Sequence, residues 1–70
     1  MAISLLNVTY FDPKIYLGER MLIQRQYTYA FKLFMAAVEQ EAYNAYGYLG
    51  FFYYTGILGE KDIEKAIYYW

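Results

Sequence analysis

Apolar and small side chains recur at helical spacing in four stretches of this chain, separated by short polar or glycine-bearing breaks. The first stretch opens at Asp12-Pro13. An aspartate can cap the free amides of a first turn, and proline is tolerated there because its missing N–H would find no partner anyway. Ile15, Leu17, Met21 and Leu22 then keep a helical period to about Gln24, where Arg25-Gln26 marks a tight turn. A second helix is predicted over 27–40, with Ala30, Phe34, Ala37 and Val38 inward and Glu39, Gln40 and Glu41 in solvent. A third is predicted over 42–55, followed by a loop from Gly56 to Lys61. Asp62 caps a fourth that runs through Tyr68-Tyr69-Trp70. The pattern predicts an all-α fold of about two antiparallel helix pairs, 12–41 and 42–70, after an irregular lead-in over 1–11.

The two predicted pairs share markers. Leu17-Gly18 and Leu49-Gly50 are Leu-Gly pairs inside helical stretches, and Ala30-x3-Phe34 matches Ala66-x3-Trp70. From Ala30 to Ala66 is 66 − 30 = 36 positions, a period typical of stacked helix-pair repeats. Glycine inside a helix costs about 1 kcal/mol relative to alanine, so Gly18 and Gly50 point to close approach of a paired helix. Large neighbours (Leu17, Met21 and Phe34; Leu49, Tyr53 and Trp70) are expected to fill the space between units.

Leu49-Gly50, Tyr53, Gly56, Asp62-x-x-Lys65-Ala66 and Tyr69-Trp70 resemble one unit of a Sel-1-like repeat, a relative of the tetratricopeptide repeat. Gly18 to Ala30 has plain tetratricopeptide spacing, and Gly50 to Ala66 is four residues longer, as in the Sel-1-like variant. The resemblance extends over 14–70 and departs from the family pattern at Leu58-Gly59. It implies an α-solenoid that acts as a protein-binding scaffold or adaptor. Family members serve in membrane-protein quality control, in ubiquitin-ligase complexes, or in bacterial host interaction and signalling. By the same resemblance the first helix of each pair lines a concave face. Mapped onto this chain, that face holds Ile15, Glu19, Leu22, Asn44, Phe51 and Tyr54, with Phe51 and Tyr54 as aromatic anchors for a protein or peptide partner.

Composition narrows the alternatives. Six basic and seven acidic residues give a net charge of −1, so no strong field draws nucleic acid or an anionic membrane. The chain has neither Cys nor His, and Ser4 is its one serine. Disulfides, a structural zinc site and the usual nucleophile–base arrangements are therefore not expected, and the chain reads as a non-enzyme without a cofactor. Glu60, Asp62 and Glu64 read as a solvated helix start rather than a cation site.

Aromatic content of 24%, with 11 Tyr, is more than 70 residues can hide, so part of it should line a groove, meet a neighbour or sit at a membrane interface. The last helix lacks a glycine or polar stop, which predicts contact with neighbouring repeats or self-association through that end. The competing expectation is a small hydrophobic structural subunit of a membrane-associated assembly, although 42–59 is too polar for direct insertion. Asn7-Val8-Thr9 fits a glycosylation sequon, and Met1 to Phe11 lacks the features of a signal peptide.

Overall fold

A computed structural model of the chain describes residues 12–70. The lead-in over 1–11 and the sequon at Asn7 lie outside the described residues. Within 12–70 the chain forms four helices and no strand: α1 (Pro13–Ile23), α2 (Tyr27–Glu39), α3 (Asn44–Thr55) and α4 (Ile63–Tyr69). Each helix packs against the next, so α2 lies between α1 and α3, and α4 folds back on α3.

The helix starts follow their capping residues. Asp12 accepts from the Lys14 amide at 2.9 Å, with Pro13 in the first turn. Asp62 accepts from the Lys65 amide at 3.0 Å. Both aspartates are extended in backbone, as a cap requires.

The helix ends use a left-handed residue. After α1 the Gln26 amide reaches the Met21 carbonyl and the Arg25 amide reaches Leu22, with Arg25 at φ 61°. After α2 the Ala42 amide reaches Ala37 and the Glu41 amide reaches Val38, with Glu41 at φ 60°. These paired bonds satisfy the last free carbonyls of each helix and turn the chain sharply. The end of α3 needs glycine itself. Gly56 stands at φ 69°, and a Cβ there would meet the Lys61 backbone nitrogen at 2.8 Å.

The core comprises Ile15, Ala30, Phe34, Ala37, Ala42, Ala45, Leu49 and Phe52. Its organising feature is a small residue facing a ring. Gly18 on α1 faces Phe34 of α2, where an added Cβ would lie 2.7 Å from the ring. Gly50 on α3 faces Trp70, just beyond α4, and an added Cβ would fall inside the indole. Ala30 and Ala66 are both fully buried on the opposing helices. The close approach of the paired helix expected at Gly18 and Gly50 is thus present in each pair.

One packing expectation is corrected. Leu17 does not fill the space between units; it is 47% exposed, whereas Leu49 is fully buried. The difference lies in the neighbours: α3 is packed against both α2 and α4, whereas α1 is packed against α2. Lys65 stands 5.3 Å from the Tyr53 ring centre. Lys14–Asp12 at 3.2 Å is the ion pair among the described residues. No described helix is long and apolar enough to cross a membrane.

Candidate functional site

Side chains three, four or seven positions apart share a helix face. Asp12, Ile15, Glu19 and Leu22 therefore run along one side of α1, and Asn44, Tyr48 and Phe51 along one side of α3. The two sides border two adjoining depressions. One, of about 230 Å³, is lined by Asp12, Ile15, Glu19, Asn44 and Tyr48. The other, of about 350 Å³, is lined by Leu22, Asn44, Gly47, Tyr48 and Phe51 and is almost wholly apolar. Asn44 and Tyr48 border both, so the depressions form a single groove with a polar half and an apolar half.

Tyr48 divides the two halves, and its position is set from the core. Because Gly18 has no side chain, the Phe34 ring lies against α1. Tyr48 stacks flat on that ring, with centroids 4.3 Å apart and planes 4° from parallel. The stack leaves the Tyr48 hydroxyl at the groove, where it donates to Glu19 Oε2. One glycine thereby fixes a hydrogen bond that ties α3 to α1.

The electrostatics follow from these contacts. The hydrogen bond to Glu19 raises the Tyr48 hydroxyl from its ordinary value of 10.0 to about 12, with burial and the carboxylate charge adding to the shift. Tyr48 therefore stays protonated and acts as a donor at neutral pH. Asp12 is 1% exposed. Its Oδ1 accepts from the Lys14 amide and lies 3.2 Å from the Lys14 ammonium. Its Oδ2 is buried and has no hydrogen-bond partner among the described residues.

Of the residues mapped to the concave face from sequence, Ile15, Glu19, Leu22, Asn44 and Phe51 line this groove. Ile15 does so as its floor: at 9% exposed it belongs to the core. Tyr54 is placed elsewhere. It sits beside Trp70, with ring centres 5.5 Å apart, and borders neither depression. Asp12, Gly47 and Tyr48 also line the groove, although none of them is among the residues that the sequence maps to the concave face. Tyr48 carried a signal, standing one turn after Asn44 on the same face. Asp12 is the cap that its place before Pro13 predicts, and nothing local marks its second oxygen.

The carboxylates at the other end of the molecule do not converge. Asp62 is engaged as a cap, and no group of three or more potential metal ligands assembles among the described residues. No family model, curated protein or solved structure matches the chain.

Proposed function

We propose that the chain is a protein-binding scaffold of the Sel-1-like, tetratricopeptide-related kind, and that it holds a partner segment in the groove between α1 and α3. One observation carries this reading: side chains from two helices that are distant in sequence border one continuous groove, with Phe51 standing 42% exposed at its apolar end. Exposed aromatics have few rotamers to lose and supply much of the affinity of peptide-binding surfaces. The paired markers Gly18–Phe34 and Gly50–Trp70 support the repeat half of the reading, since the same small-against-ring contact recurs in both helix pairs.

A covering neighbour belongs to the same reading. Ile63, Ile67 and Trp70 stand 36 positions after Tyr27, Phe31 and Phe34, the residues that α2 turns toward the core. A following repeat or a second copy would cover that face, and sedimentation over a concentration series would report the second copy.

Selection of short peptides from a display library on the 70-residue chain tests the groove. Binders should shift the amide resonances of Leu22, Gly47, Tyr48 and Phe51. Phe51→Ala with Leu22→Ala should weaken them about tenfold or more while the melting temperature changes little. Selected peptides whose shifts map away from α1 and α3, or affinity unchanged in the double variant, would sink the proposal.

A further inference from the structure

The joint between the two helix pairs has two sides, and each has an exposed counterpart elsewhere on the same chain. Phe31 and Phe34 form the α2 side, and Tyr48, Leu49 and Phe52 the α3 side. Tyr48 stacks on Phe34 at 4.3 Å, Phe52 meets Phe31 edge to face at 5.5 Å, and Leu49 is fully buried.

The counterpart of the α3 side is on α1. The run Tyr16-Leu17-Gly18 recurs as Tyr48-Leu49-Gly50, 48 − 16 = 32 positions later, and each glycine faces the ring of its own helix pair. Tyr16, Leu17 and Arg20 therefore hold the register of Tyr48, Leu49 and Phe52, and all three are exposed. The counterpart of the α2 side is Ile67 and Trp70, 67 − 31 = 36 positions after Phe31 and Phe34, and both are exposed. The departure from the pattern is Arg20, which stands where the internal joint has Phe52. It is matched to the opposite face twice over. A guanidinium is attracted to the face of an indole. Glu64, three positions before Ile67 on the same side of α4, is exposed beside that face, whereas Lys65 is turned toward Tyr53.

We infer that the α4 face is covered by α1 of a second copy of this chain, head to tail. Tyr16 of the second copy stacks on Trp70, its Leu17 is buried as Leu49 is, and its Arg20 lies between the indole and Glu64. This rests on the covering neighbour proposed above and names the surface that does the covering. Joining α4 to α4 about a two-fold axis would bring two acid-flanked faces together and leave the α1 stripe uncovered. Because each copy presents both halves of the joint, the contact is heterologous, and the assembly grows beyond a pair. Each joint also builds a further groove, in which Tyr54 takes the place that Leu22 has in the first, 54 − 22 = 32 positions on.

Sedimentation velocity of the 70-residue chain over a concentration series tests the joint. The wild-type chain should pass from monomer through dimer to larger species as concentration rises. Leu17→Glu and Ile67→Glu each put an unpaired charge into the joint, and each alone should weaken self-association about tenfold or more. Mixed one to one, the two variants should form a dimer and stop there, because each supplies the half that the other has lost. Both positions are exposed, so circular dichroism should find each variant as helical as the wild type. Tyr16→Ala, which removes the stack alone, replaces Leu17→Glu if helicity falls.

A Leu17→Glu chain that associates as the wild type does, beside a monomeric Ile67→Glu chain, would show α4 meeting α4. That result would overturn the head-to-tail joint and leave covering by a second copy standing. A mixture of the two variants that stays monomeric would also overturn the joint. A wild-type chain that is monomeric up to about 1 mM would overturn both the joint and the second copy.

Discussion

The two helix pairs are built on the same contact and end in opposite states. In α1–α2, Gly18 admits the Phe34 ring, and α3 then closes over it through Tyr48 and Phe52, leaving Phe34 fully buried. In α3–α4, Gly50 admits the Trp70 indole, but Trp70 remains 65% exposed, touching Tyr54 and donating to the Gly47 carbonyl at 3.2 Å. A small residue opposite a large one brings two helices together. Only a third helix turns that contact into core. The same local pattern therefore carries different energetic weight in the two halves, and the groove is held by the closed one.

The largest test of this difference is truncation of the two rings. Phe34→Ala should cost about 3–5 kcal/mol, the range for removing a fully buried phenylalanine, and should abolish cooperative melting in so small a domain. Trp70→Ala should cost about 1–2 kcal/mol, since only part of the indole leaves water. Chemical denaturation measures both, and equal losses would show that α4 is as firmly cored as α2.

Next come the glycines. Gly18→Ala drives a methyl into a ring with nowhere to move, because Phe34 is held against Tyr48. It should destabilise by about 1–3 kcal/mol. Gly50→Ala meets a side chain that can swing into solvent, and the gain in helix propensity offsets part of the lost contact. Its effect should stay within about 1 kcal/mol of zero. A reversal of that order would place the tighter crossing in the second pair.

The smallest effect is optical. In an alkaline titration of the tyrosines, Tyr48 should ionise last, near 12 against an ordinary 10.0. Its folded value is raised, so its contribution to stability is complete below pH 10 and is lost as pH rises toward 12. Glu19→Gln should bring that late component down. A component that stays put would mean that the Tyr48–Glu19 bond is not what delays it.

Much of the backbone was legible along the chain because its signals are local. Asp12-Pro13 and Asp62 mark helix starts by their own side chains, and the breaks at Arg25-Gln26 and Gly56 fall where the helices end. The close approach of the paired helices was legible because a mid-helix glycine has few reasons to exist, whereas the rings that meet Gly18 and Gly50 are seen only in the fold. What was not legible depends on tertiary placement. Leu17 and Leu49 are the same residue type in the same register, and only the flanking helices decide which is covered. Tyr54 shares a helical face with Phe51 and Asn44, yet the nearby indole claims it. The aim of Tyr48 into the groove is set by a stack on Phe34, 14 residues away and on another helix. No periodicity carries that information.

Trp70 is the chain's one tryptophan, and its indole nitrogen is bonded to Gly47, a residue of the groove's apolar wall. The molecule thus has a built-in fluorophore at the joint between α3 and α4. Its emission wavelength and quenching report on whether α4 is docked, without any added label. Since Gly47 also lines the apolar depression, a segment held there as proposed would register as a change in emission at the far side of the same helix.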